Sequence, residues 1–137
     1  MLNIECFTLG PLATNAYLIV REDLGKAVLI DPGMHPEPLV RRVQDLELEA
    51  ILLTHAHFDH IGGLAELAGL YRSPVYIHAS ESSWLEDPWW NGSAWAGALL
   101  KVRLPHPEHP LEGGEVLTFL GRTWHVLHTP GHTPGGL

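Results

Sequence analysis

"ILLTHAHFDHIGG", residues Ile51 to Gly63, decides how this chain reads. An apolar run ends in three histidines and an aspartate within the six residues His55 to His60, and a glycine pair follows. "EAILLT", ending at Thr54, predicts a strand buried on both faces. Ile61 to Leu70 predicts a helix with Leu64, Leu67 and Ala68 on one face. The cluster thus falls where a buried strand hands over to a helix, the place where sites collect in layered α/β folds. His55 and His57 are two apart at the strand's end, and on extended backbone such positions share a face, so both imidazoles can reach one ion. The break into the helix rotates the chain, so Asp59 and His60 need not face that ion. A second ion about 3.5–4 Å away is the usual solution. Gly62 and Gly63 let the backbone pass close to such a site. Imidazoles with a carboxylate suit zinc, with iron and manganese as alternatives.

A third ligand to the first ion has to come from elsewhere. His132, in "HTPGHTPGG", is the candidate: it lies just past another predicted strand, in a loop shaped by Pro130, Gly131, Pro134 and Gly135. His128, at that strand's end, reads as structural or, at most, as a support to the ligands.

The rest of the chain frames these two places. "LNIECFTLG", "NAYLIVRE", "KAVLIDPG" and "SPVYIHA" predict strands, and "EVLTFLG" with "RTWHVLHTPG" predicts a hairpin turning at Gly121-Arg122. "PEPLVRRVQDLEL" predicts a helix, with Leu39, Val40, Val43 and Leu46 on one face. A short helix is expected from Ser80. Glu86 to Pro110, rich in Trp, Pro, Gly and His, shows no period and predicts a long irregular connection. Strands that interleave with helices and pair as hairpins at both ends predict mixed α/β layers, with helices covering sheets.

Bulk properties exclude several functions. The 137 residues suit one domain, spanning 1–137. A formal net charge of −8, with eight Lys and Arg, argues against a nucleic-acid partner. No apolar run approaches the roughly 20 residues that span a bilayer. Cys6 is the single cysteine, which fits a reducing compartment and a cytoplasmic location. A small-molecule substrate is the expected partner.

"HAHFDH" matches in full the His-x-His-x-Asp-His signature of the metallo-β-lactamase-fold hydrolases, and the chain resembles that superfamily along its whole length. "LIDPG", Leu29 to Gly33, resembles the family's earlier Asp-bearing strand end, and "HTPGHTPGG" its next metal-binding loop. Within the family, "TNAYLIV" and "HTPGHTPG" look most like the glyoxalase II-like (hydroxyacylglutathione hydrolase-like) group. The resemblance implies a four-layer αββα sandwich, of which this chain reads as the N-terminal portion. It implies that His55, His57 and His132 hold one metal, that Asp59 and His60 help hold a second, and that a bridging hydroxide attacks a thioester or ester carbonyl. Asp59 would orient the hydroxide, and Asp31 would fix ligand orientation. A bridging Asp and a last His are implied beyond Leu137. Two other readings stand beside thioester hydrolysis: a mononuclear iron persulfide dioxygenase, and a metal-binding fragment without catalysis.

Other features are weighed against these. Trp84, Trp89, Trp90 and Trp95 read either as a substrate wall or as a small apolar cluster under the long loop. His106 and His109 are expected in a solvated loop, His78 and His125 within strands, and His35 at the site's rim. Cys6 has no base placed with it.

Overall fold

β1 (Asn3–Leu9), β2 (Thr14–Arg21) and β3 (Lys26–Ile30) are each antiparallel to the next, and β4 (Glu47–Leu52), β5 (Val75–His78) and β6 (His109–Leu111) continue parallel to β3 in one six-stranded sheet. The computed structural model describes residues 1–137. The parallel steps require crossovers, and helices supply the first two: α1 (Glu37–Val43) between β3 and β4, and α2 (Phe58–Ile61) with α3 (Leu64–Tyr71) between β4 and β5. A second, two-stranded antiparallel sheet, β7 (Val116–Phe119) and β8 (Arg122–His125), lies on the other face.

Side-chain alternation divides the strands between two cores. Ala16, Leu18 and Val20 of β2, Ala27 and Leu29 of β3 and Ile51 of β4 point to the helices and pack with Leu39, Val43, Leu64 and Leu67. Ile19, Val28 and Ala50 point the other way, onto Phe119 and Leu120 of the hairpin. The three central residues of β3 are buried whichever way they face, as a strand between two layers must be. The layers run helices, sheet, hairpin: a mixed α/β architecture, as the interleaved strand and helix patterns predict.

The structure departs from the sequence reading in several places. The helix expected over "PEPLVRRVQDLEL" ends at Val43, leaving Leu46 outside it, and β4 already begins at Glu47. β4 ends at Leu52, so His55 and His57 lie in the loop after the strand and not on it. The helix expected over Ile61–Leu70 is two pieces broken at Gly62-Gly63, because this stretch runs against the loop after β3. A Cβ on Gly63 would sit 2.6 Å from the Gly33 carbonyl oxygen. The helical turn expected from Ser80 is a 3-10 segment, Ala79–Glu86, capped by the His78 ring, which accepts the Ser80 amide. Finally, the long connection ends in a strand, β6. Pro110 lies within it, tolerable at the outer edge of the sheet. His109 belongs to that strand and stacks on Tyr76 at 4.7 Å, while His106 contacts Arg72.

Candidate metal centre

Three loops meet at the carboxyl ends of β3 and β4. The first follows β3 and carries Asp31, Pro32 and Gly33. Asp31 sits at φ 53°, a left-handed conformation that aspartate tolerates better than most residues. The second, Leu53 to His57, follows β4, and His57 caps α2 with extended backbone. The third carries His132 after β8. Backbone bonds join them: Gly63 donates to the Pro32 carbonyl at 2.8 Å, and Leu137 donates to the Thr54 carbonyl at 2.9 Å.

One ligand nitrogen each from His55, His57 and His132 lies within 4.8 Å of the others. Their ring planes are close to mutually perpendicular, at 82°, 84° and 86°. His57 Nδ1 and His132 Nε2 approach to 3.1 Å. Two nitrogens at about 2.0–2.1 Å from one tetrahedral ion would be about 3.3–3.4 Å apart, so the His57–His132 pair is close to the spacing that sharing an ion requires.

The donor chemistry of Asp31 shows how His55 and His60 are oriented. A carboxylate only accepts hydrogen bonds. The Thr54 hydroxyl donates to Asp31 Oδ2 at 2.5 Å, and its amide donates to Oδ1 at 2.8 Å. Its single proton thus committed, the hydroxyl can only accept from His55 Nδ1, 2.9 Å away. His55 Nδ1 therefore carries the proton, and Nε2 carries the lone pair. That Nε2 is buried with no hydrogen-bond partner in the protein, an expensive arrangement that a metal ion would satisfy. By the same reasoning His60 Nδ1 donates to Asp31 Oδ2 at 3.0 Å. Its Nε2 then faces Asp59 Oδ2 at 3.5 Å. Thr14 holds that Asp59 oxygen with a 2.8 Å hydrogen bond. Asp31, His55 and His60 also form a second close group of ligand-type atoms, within 4.8 Å.

Electrostatics favour the neutral form of His55 and His57. Burial, then the neighbouring His60, pushes His55 down to about 4. Burial and the facing His132 lower His57. For His60 burial acts in the same sense, but the Asp31 hydrogen bond and the Asp31 and Asp59 charges outweigh it, and the net shift is upward. A ligating imidazole must be neutral, so His55 and His57 are prepared for a cation before one arrives.

The residues singled out by sequence fall into place as follows. His55, His57 and His132 converge; Asp59 and His60 meet beside them; Asp31 lies beneath. His128 lies outside the cluster: it stacks on His78 at 4.6 Å and contacts the Pro134 carbonyl at 2.8 Å. The sequence reading missed Glu81, a fully buried residue. Glu81 Oε1 accepts the Ala56 amide at 2.9 Å, and Oε2 accepts the Thr133 hydroxyl and the Gly135 amide, each at 2.7 Å. It also missed Thr54 and Thr14. Thr54 directly precedes His55, and that adjacency was the one available signal. Nothing in "HASES" marks Glu81 as buried.

Fold and site together define a class, and the comparisons name it. Residues 9–137 match the model of the metallo-beta-lactamase superfamily, and the chain belongs to that superfamily. Among curated relatives it is similar to "Probable metallo-hydrolase YqgX" of Bacillus subtilis, at 37% identity over 93% of this chain and 60% of that protein. It is also similar to "Hydroxyacylglutathione hydrolase GloC" of Haemophilus influenzae, at 33% identity over 98% of this chain and 64% of the relative. Among solved structures it resembles the BLEG-1 B3 metallo-beta-lactamase, with a TM-score of 0.89 and 41% identity over 98% of this chain and 65% of the other. It likewise resembles TTHA1623 in a di-iron-bound form, with a TM-score of 0.75 and 42% identity over 96% of this chain and 64% of the other. The chain spans about three fifths of the length of the curated relatives it matches, 62% of the Aquifex aeolicus relative for example.

Proposed function

We propose that this chain carries the metal centre of a hydrolase that cleaves a small-molecule thioester, of the kind a hydroxyacylglutathione represents. The observation that carries the reading is the buried, unpartnered His55 Nε2, converging with the ring nitrogens of His57 and His132. Similarity to a relative named as a hydroxyacylglutathione hydrolase supports the substrate class.

In this reading His55, His57 and His132 hold one ion, and Asp59 with His60 contributes to a second. Zinc suits three imidazoles with an open position, and iron is the alternative, supported by the di-iron-bound neighbour. Such ions, when bound, acidify water toward a pKa of about 7 and polarise a carbonyl. The protein's own groups do the rest. Asp31 holds His60 directly and His55 through Thr54, so that each keeps its proton on Nδ1 and offers Nε2. Burial keeps His55 from becoming a cation that would repel an ion. Thr14 turns the Asp59 carboxylate toward the site, where it can accept a proton from the attacking water.

The test is thiol release from an S-(2-hydroxyacyl)glutathione and from a simple acyl thioester, with the chain stripped by chelator and then reloaded with zinc or iron. Release that vanishes on stripping and returns on reloading is expected. A folded chain that retains zinc but releases no thiol leaves only the non-catalytic metal-binding reading. Oxygen uptake with one iron per chain points to the dioxygenase instead.

A further inference from the structure

We propose that Trp84 and Trp90 form a stacking platform beside the metal centre for a flat aromatic group carried by the substrate. The inference rests on the hydrolase reading above and adds a specificity to it.

The platform begins on a candidate ligand. The Trp84 ring lies over His57 with centroids 6.2 Å apart and planes at 23°. Trp90 lies over Trp84 at 5.7 Å and again 23°. The three rings thus step outward from the metal site in near-parallel planes. Trp90 remains 63% exposed despite the stack; Trp89 and Trp95, 64% and 80% exposed, form a separate edge-to-face pair at 5.5 Å on the same loop. A cluster built to fill space under a loop would hide these rings. An exposed indole stacked outward from a candidate ligand at the mouth of a site offers a binding surface instead.

The loop bearing it is held in shape. Asn91 is fully buried; its amide donates to the carbonyls of Trp84 and Leu100, and its oxygen accepts the Ser93 amide. Asp87 Oδ1 accepts the amides of Trp89 and Trp90. The Phe58 amide donates to the Asn91 carbonyl at 2.9 Å, which ties the loop to the residue after His57. The rings are therefore ordered before any ligand arrives, which lowers the entropic cost of binding. Parallel indole planes favour another flat ring over an aliphatic chain, because offset stacking adds to area burial. The ring could sit on the acyl or the thiol side of the scissile bond; the recognition chemistry is the same.

The test compares binding of 2-naphthylacetate and acetate to the purified chain by calorimetry and tryptophan fluorescence. Naphthylacetate binds about ten-fold or more tightly than acetate. Trp90→Ala removes the advantage and Trp90→Phe restores most of it, with circular dichroism and bound metal alike in all three proteins. Equal affinity for the two carboxylates, or an advantage that survives Trp90→Ala, overturns the platform. Kinetics with a phenylacetyl thioester of methanethiol and an acetyl thioester of benzyl mercaptan identify the side: the ester whose KM is lower and rises in Trp90→Ala carries its ring on the platform. Equal KM values for both, and for the ringless acetyl ester, overturn the platform and leave hydrolysis standing. No turnover of any ester, with the naphthylacetate advantage intact, sinks the hydrolase reading and leaves the platform.

Discussion

The amide of Ala56, between His55 and His57, donates to Glu81 Oε1 at 2.9 Å, and through Glu81 the two metal-site loops are held to one carboxylate. Its other oxygen accepts from the Thr133 hydroxyl and the Gly135 amide, which follow His132 in the third loop. His57 and His132, in these two loops, lie 75 positions apart in the chain, so nothing local makes the loops meet; a buried acceptor satisfied by both gives a reason.

Replacing Glu81 tests that strut. In Glu81→Gln the new NH2 faces groups that themselves donate, so at least one hydrogen bond is lost in a dry site. The expected cost is about 1.5–3 kcal/mol of stability, the range for hydrogen bonds to charged groups. Zinc affinity falls as well, by about 10–100-fold as for other groups that orient ligands. Urea unfolding and chelator competition measure the two quantities. Unchanged zinc affinity in a destabilised variant would confine Glu81 to a role in folding alone.

Asp31→Asn separates backbone from side chain. Asparagine also tolerates the left-handed φ of 53°, so the loop after β3 keeps its course. With the Asn oxygen at the Oδ2 place, the NH2 faces the Thr54 amide, which itself donates, and the Thr54 hydroxyl and His60 Nδ1 are left with a neutral, weaker acceptor in place of a carboxylate. Zinc affinity is expected to fall by about 10–100-fold with little loss of helicity. A variant that binds zinc like the parent shows that the two imidazoles are oriented by something else.

Acid should weaken the metal-free protein. Unfolded histidine titrates near about 6.5, whereas His55 in the fold does so at about 4, and His57 is also lowered. Between those values the unfolded chain binds more protons than the folded one, so stability falls as the pH falls through this window. His60, raised, has the opposite sign: its contribution is present below about 6.5 and is lost as the pH rises through its folded value. The two lowered groups outnumber it. Urea midpoints of the stripped protein from pH 7 to pH 4 should therefore decline, and His55→Gln should flatten the decline. A profile that rises toward acid would contradict the burial argument for His55.

Two glycines give opposite signs. A Cβ on Gly63 would meet the Gly33 carbonyl oxygen at 2.6 Å and Pro36 Cβ at 2.7 Å. Gly63→Ala forces the loop after β3 away from the helix pair and is expected to cost about 1–3 kcal/mol. Gly69, in α3, has nothing within 4 Å of such an atom. Gly69→Ala is expected to stabilise by about 0.5–1 kcal/mol through helix propensity. Thermal unfolding of both reads the contrast; a neutral Gly63→Ala would mean that the two loops can part freely.

Sequence alone determined the features that depend on short spacing. Alternation in "NAYLIVRE" and the apolar "KAVLI" and "EAILL" specify strands through side-chain period, and "HAHFDH" places four ligand-type residues on one turn of chain whatever surrounds it. The tertiary structure decided what lies between distant segments. His57 meets His132 across 75 positions, and Glu81 reaches Ala56 across 25. The helix break at Gly62-Gly63 answers to Gly33 and Pro36, β6 exists because β5 offers it an edge, and Trp84, on the 3-10 segment after β5, meets His57 only in the folded chain. The physical reason is one of range. Periodicity and ligand chemistry act within a few residues and can be read in order, while buried polar satisfaction and close backbone approach are properties of neighbours that the order of residues does not name.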